Sequence, residues 1–221
     1  MSFDWGAPLR NVDTLLQGLV VTLQVSGLSF VIAFALGLVT ALARRSTIWL
    51  LRLAATAYIE VIRNTPVLLQ IFIVFFGLPS VGIRFDAITA GVIALSVNSG
   101  AYLAEIIRAG IQSISKGQIE AATALGLSPL QVFTRVVFPQ ALRNIYPPVT
   151  NQFIMIILGS SLLSAIAVPD LTGNALVVNS RTFRTVEVFS FVTLMYVALT
   201  LAASLLLNVL GRLLFPKITV R

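Results

Sequence analysis

The sequence predicts an all-α membrane protein with five transmembrane helices, and three observations carry that prediction. Hydrophobic residues make up 57% of the 221, charged residues only 10%, and mean hydropathy is +0.97. About a quarter of the residues in a soluble domain are charged. The basic residues sit mainly at the ends of long apolar runs. Five such runs can be laid out, four of them close to or beyond the roughly 20 residues a helix needs to cross hydrocarbon. The length suits one helical domain, 1–221.

Composition also excludes functions. There is no cysteine, so no disulfide and no thiolate metal site, and no histidine, the commonest general base and metal ligand. No G-x-x-x-x-G-K-[ST] occurs, so the chain has no P-loop to cradle ATP phosphates. No metal, cofactor or catalytic residue is expected. The +7 charge is explained by orientation in a bilayer, not by nucleic acid.

Taken in order, the opening MSFDWGAPLRNVDT lacks the basic front and immediate apolar core of a signal peptide, and Trp5 suits a membrane interface. Span one (15–43) falls in the thirty uncharged residues between Asp13 and Arg44. Its Ala33, Gly37 and Ala41 repeat at four-residue intervals, a spacing that lets helices touch closely.

Span two is interrupted. Only thirteen residues run from Pro66 to Leu78, so the helix must begin near Ala57 (57–78) and takes in Glu60 and Arg63. Three residues apart, these share a face and can pair; the plainer alternative is an Arg63 that snorkels to the interface. Pro66, after Asn64 and Thr65, removes a backbone hydrogen bond and kinks or breaks the helix. A broken helix is tolerated in a membrane where it lines a cavity.

Span three (87–107) carries Ser96, Gly100 and Ala104 at the same close-packing interval, beside the polar Asn98, Ser99 and Tyr102. Glu105 and Arg108 can pair at its edge. Span four (144–168) holds Asn151, Gln152, Ser160, Ser161 and Ser164 in an apolar run. Span five (188–211) offers Tyr196 and Asn208, with Ala198 and Ala202 for packing.

Between spans three and four, the loop 109–143 contains two punctuated helices. Ser115 and Gln118 have capping-box spacing, Glu120 suits the positive end of a helix of about three turns, and Gly126 can end it. Ser128, Pro129 and Gln131 restart a helix with a cap, a first-turn proline and a second capping box. Ala121 and Ala122 keep the first helix thin enough for another surface to approach. A plain capped loop is the alternative on these signals alone.

Charge sets the topology. The loops after spans one and three, with the tail, hold Arg44, Arg45, Arg52, Arg108, Lys116, Arg135, Arg143, Arg212, Lys217 and Arg221; the other side holds Arg10, Arg84, Arg181 and Arg184. Ten against four places the first set in the cytoplasm. The N-terminus is then outside and the C-terminus inside.

Glu120-Ala121-Ala122, three residues, Gly126, nine residues and Val136-Val137-Phe138-Pro139 resembles the EAA loop, E-A-A-x3-G-x9-I-x-L-P, of the membrane subunits of binding-protein-dependent ABC importers. Val136 and Phe138 stand where that family usually has Ile and Leu. The run 101–118, AYLAEIIRAGIQSISKGQ, is similar to the polar amino-acid (histidine, glutamine, arginine) branch. So are Asn151-Gln152-Phe153, Ser160 to Ser164 and Val168-Pro169-Asp170-Leu171-Thr172. Residues 61–70, VIRNTPVLLQ, resemble an FRGTPLLVQ-type motif with Asn64 for the glycine. Leu158 and Gly159 stand where members often carry Lys and Asn or Asp.

The resemblance covers roughly Asp13 to Phe215. It implies a type I ABC importer permease fold in a bacterial plasma (inner) membrane. It implies coupling through Glu120, Ala121, Ala122 and Gly126 to two ATP-binding subunits. A second permease copy or paralogue and an extracytoplasmic substrate-binding protein complete the implied assembly. Hydrolysis then belongs to a partner. Candidate substrate-path residues are Arg63, Asn98, Tyr102, Gln152, Ser160 and Ser161. Glu60 and Glu105, the only carboxylates in or beside the spans, each have an arginine three residues on, which favours a neutral or acidic amino acid over a cationic one. An ion-coupled secondary carrier, or an ABC permease for a different small solute, is the alternative.

Overall fold

A computed structural model describes residues 5–215. Lys217, Arg221 and the first four residues of the opening stretch lie outside them. Every regular element among the described residues is helical. In order they are α1 (Gly6–Arg10), α2 (Val12–Ala43), α3 (Trp49–Arg63) and α4 (Val67–Phe72), which continues through a π turn and a 3-10 turn to Val81. Then come α5 (Ala87–Gln112), α6 (Lys116–Ala124), α7 (Pro129–Val132), α8 (Phe138–Gly159), α9 (Leu171–Thr182) and α10 (Thr185–Leu214). Among the described residues, four helical stretches are long and apolar enough to cross a membrane: Val12–Ala43, Ala87–Gln112, Pro129–Ile166 and Thr185–Leu214. The fifth is the pair Trp49–Arg63 and Val67–Val81, bent by 109°. The break falls at the expected Asn64-Thr65-Pro66, but the first arm begins at Trp49, eight residues ahead of the expected 57.

At the bend, side chains supplement or replace the backbone donors to the last carbonyls of α3. Glu60 O accepts from Asn64 N (3.2 Å) and Nδ2 (2.8 Å), and Val61 O from Thr65 Oγ1 (2.8 Å). Ile62 O faces Pro66, which has no N–H, and accepts instead from Gln70 Nε2 at 2.9 Å. The same nitrogen reaches Thr65 Oγ1 at 2.8 Å and Thr65 O at 3.2 Å.

Helix α5 is the centre of the bundle: 61% of its apolar window is buried, against 6% for α10. Its small residues meet those of α2. A Cβ on Gly37 would lie 2.8 Å from Leu103 Cβ, and one on Gly100 3.1 Å from Leu36 Cβ, so both backbones approach as the spacing predicts. Ala198 and Ala202 do not behave this way. They are exposed, because α10 turns most of its surface away from the other helices.

The loop 109–143 folds on a core of its own: Ile114, Ala122, Val132 and Val137, backed by Ile111, Ile119, Leu127 and Val136. The second capping box forms, with Gln131 N–H on Ser128 Oγ (3.4 Å) and Ser128 N–H on Gln131 Oε1 (2.9 Å). The first does not. Ser115 is the N-cap of α6, but Gln118 N–H bonds its carbonyl at 3.1 Å, so its hydroxyl makes no capping bond. Glu120 is the fifth residue of α6, past the first turn. The second short helix is not separate from span four. A π turn, Phe133–Val137, joins it to α8 in one stretch from Pro129 to Ile166.

Between spans four and five lies a further helix. This is α9, capped by Asp170, whose Oδ1 accepts from Gly173 N at 2.8 Å. Tyr196 OH on α10 reaches Asp170 Oδ2 at 3.2 Å, and Leu171 N donates to Thr22 Oγ1 on α2 at 3.1 Å. This carboxyl is fully buried, and burial pushes its pKa up to about 6.

Candidate functional site

The broken helix, α5 and α8 enclose a cleft of about 560 Å³. Thr65 and Pro66 form one wall, Asn98 and Tyr102 the next, Gln152 and Ser161 the third. Four of the six residues singled out from sequence therefore share one cavity. Arg63 stands at its margin, its guanidinium carbon 5.4 Å from the centre of the Tyr102 ring. Ser160 does not belong to it: its side chain is fully buried and its hydroxyl donates to Ile157 O at 2.8 Å.

Gln70 is the residue behind the cleft that the sequence reading passed over. It sits 8% exposed behind the bend, and its Oε1 accepts from Asn98 Nδ2 at 3.0 Å. One side chain thus closes the break and aims the asparagine that lines the cleft. The available signal was Pro66 itself, whose missing N–H obliges some donor to serve Ile62.

The polar groups of the cleft are neutral and stand among apolar neighbours such as Val67, Leu95, Met155 and Leu162. Ser161 Oγ donates locally to Leu158 O (2.7 Å), while amide and phenol groups face the space. Among the described residues, no carboxylate lines it. No group of metal-ligating side chains occurs among the described residues.

Below the cleft on α5, Glu105 gathers three arginines. It pairs with Arg44, with Arg108 at 2.7 Å and with Arg63 at 3.8 Å. The Arg108 pair is as expected. Arg63 does not pair with Glu60; it turns to Glu105, while Glu60 Oε2 takes a weak bond from Asn64 (3.4 Å). One carboxylate against three guanidiniums leaves this end of the bundle positively charged.

Helix α5 ends at the 109–143 hairpin. Ala122 is buried in the hairpin's core, whereas Glu120 and Ala121 face outward. Gly126 follows α6 at φ +81°, the left-handed conformation that closes a helix and suits glycine. Leu125 and Leu130 are 82% and 72% exposed. Exposed leucines beside a small-residue helix form an apolar surface that the sequence patterning alone did not single out.

Residues 33–220 match the family model described as binding-protein-dependent transport system inner membrane component. The probable glutamine ABC transporter permease protein GlnM of Bacillus subtilis is 40% identical over 91% of this chain and 94% of its own length. The glutamine transport system permease protein GlnP of Escherichia coli K12 is 38% identical over 96% of this chain and 98% of its own. A crystal structure of an amino acid ABC transporter with histidines superposes with a TM-score of 0.91 at 40% identity, covering 96% of this chain and 99% of that one. A methionine ABC transporter, MetNI, in an inward-facing conformation shares the fold with a TM-score of 0.75 at 21% identity. These relatives are permeases, consistent with a chain that has no phosphate-binding loop of its own. The chain belongs to the family of binding-protein-dependent transport system inner membrane components, the multi-pass permease subunits of ABC transporters.

Proposed function

We propose that the chain forms half of the translocation pathway of an ATP-driven importer for polar amino acids and takes work from an ATPase subunit through the α6 hairpin. The observation that carries this reading is the course of α5. It runs from Asn98 and Tyr102 in the polar cleft, past the Glu105 cluster, to Gln112 at the hairpin, about 21 Å at 1.5 Å per residue. A push on the exposed Glu120, Ala121 and Leu125 surface therefore meets a single stiff rod whose middle lines the cleft.

In this account, the basic excess near the hairpin puts that end in the cytoplasm, the N-terminus outside and the C-terminus inside. Two ATP-binding subunits take up the hairpins of two permease chains, this one and a second copy or a paralogue. A substrate-binding protein delivers solute from outside, landing near Ile83–Asp86 and on Asp170–Glu187. Closure of the ATPase pair moves the hairpins and opens the cleft outward; hydrolysis resets it. This is alternating access between two packings of the same helices.

The solute we infer is a neutral amino acid of glutamine type. Relatives are named for glutamine, for octopine and for arginine. A cleft lined by amides and phenol, with Arg63 at its margin and no carboxylate, suits a substrate carboxylate and a neutral side chain better than a second cation. Uptake by the reconstituted complex, with competing amino acids, tests this. Preference for glutamine supports it, and preference for arginine or lysine refutes the substrate class. Transport by the permease alone without ATP would instead indicate an ion-coupled carrier.

A further inference from the structure

Away from the polar cleft, α2, α8 and α10 leave a second hollow of about 380 Å³. One wall is a single face of α8: Leu142, Ile145, Val149 and Phe153 recur at three- and four-residue steps. Phe30 and Phe34 of α2 and Leu207 of α10 close the other sides. The hollow offers a ligand almost nothing polar. Tyr146 OH is spent on Leu207 O (2.6 Å) and Thr150 Oγ1 on Tyr146 O (3.0 Å).

From Leu142 to Phe153 the groove extends about 16 Å along α8. That is about half of the roughly 30 Å hydrocarbon thickness, or one leaflet. At the Leu142 end, Tyr146 is shared with an adjoining pocket in which Arg143, Arg212 and Asn208 stand beside the apolar Pro147, Gly211 and Phe215. The Tyr146 ring lies over Gly211, where a Cβ would come within 2.4 Å of Cε1, so it forms the floor between the two compartments. An apolar groove one leaflet long, ending in two guanidiniums at the membrane edge, has the shape and charge order of an anionic amphiphile.

We propose that this composite site holds one anionic phospholipid, with an acyl chain along the α8 face and its phosphate at Arg143 and Arg212. The choice of the cytoplasmic leaflet rests on the topology proposed above; the binding does not depend on transport or on the solute. An ordered lipid there would tether α8 to α10, the outermost helix of the bundle.

The test is native mass spectrometry of the purified complex with its ATPase subunits, delipidated and titrated with phosphatidylglycerol, with phosphatidylcholine of the same chains, and with inorganic phosphate. Phosphatidylglycerol should bind preferentially, one per chain, and inorganic phosphate should not compete. Arg143→Gln with Arg212→Gln should weaken phosphatidylglycerol about thirtyfold, two basic residues at the strength each has beside an anionic surface, and leave phosphatidylcholine unchanged. Arg143→Lys with Arg212→Lys should retain most of the preference. Val149→Trp, which fills the groove, should remove both lipids. Equal binding of the two lipids, or loss unaffected by the glutamine pair, overturns the proposal. So does Val149→Trp if it splits a permease pair while lipid stays bound, because a second copy of the chain would then be the occupant. Uptake plays no part in these readouts, so a wrong substrate would leave them unmoved.

Discussion

Replacing Gln70 by alanine should unfasten the bend in span two. The side chain donates to Ile62 O at 2.9 Å, Thr65 Oγ1 at 2.8 Å and Thr65 O at 3.2 Å, and accepts from Asn98 at 3.0 Å. Thr65 is exposed, so its groups can be resolvated and cost little. Ile62 O is half-buried and has no backbone donor, because position 66 is proline; without Gln70 it keeps only a long bond from Thr65 Oγ1 (3.4 Å), a loss of about 1–3 kcal/mol. Loss of the Asn98 bond adds about 1 kcal/mol. The sum, about 2–4 kcal/mol, corresponds to a fall of roughly 4–16 °C in Tm for a chain of this size. Thermal unfolding of the purified complex, followed by intrinsic fluorescence, measures it. Gln70→Glu keeps the acceptor for Asn98 but turns a carboxylate on two carbonyls, so it should cost at least as much as Gln70→Ala. Pro66→Ala restores an amide that can serve Ile62, so Gln70→Ala should cost less in that background than in the native one. A change below about 0.5 kcal/mol, or an equal cost in both backgrounds, would refute the reasoning.

Gly37→Ala should destabilise the chain by about 1–3 kcal/mol, because its Cβ meets Leu103 Cβ at 2.8 Å and Ala104 N at 3.1 Å and α2 must move off α5; the same unfolding assay reads it. Asp170 predicts a pH dependence. Burial raises its folded pKa from 3.8 to about 6, so the native state holds a proton that the unfolded chain has released between about pH 4 and about pH 6. Its contribution to stability therefore falls by about 3 kcal/mol as pH rises through that window. Asp170→Asn should flatten this slope, and a slope unchanged by the substitution would rule the origin out. Gly126→Asp places a side chain in open space at φ +81°, so it should cost only about 1 kcal/mol of permease stability while abolishing co-purification of the ATPase subunit. Loss of the permease itself would point to folding instead.

The parts of this fold legible in the sequence are those set by local chemistry. Gly37 and Gly100 are read correctly from spacing because only small residues allow two backbones so close. Gly126 and the Ser128–Gln131 box are read correctly because their geometry involves a few adjacent residues. Misreadings arise where a competing group, near or distant, or the packing of the whole bundle decides. Arg63 has Glu60 three residues away, yet the side chain turns to Glu105 on another helix. Ser115 has the right neighbour at Gln118, but a backbone carbonyl takes the donor first. Ala198 and Ala202 have packing spacing on a helix that turns that face away from the bundle. Asn98, Tyr102, Gln152 and Ser161 were found as polar residues in apolar runs, whereas Ser160, one residue away, faces the core. Hydropathy carries no information on which side of α8 the cavity lies.

The absence of cysteine from the whole sequence makes one measurement especially direct. Ala121→Cys introduces a single thiol on the outward face of α6. In intact cells it should resist a membrane-impermeant maleimide and react only once the membrane is opened. In isolated membranes it should cross-link to the ATPase subunit, more strongly with ATP bound than without. Labelling from outside intact cells, or a fully active complex in which no ATPase cross-link forms, would contradict the claim that this hairpin is where nucleotide-driven work enters the permease.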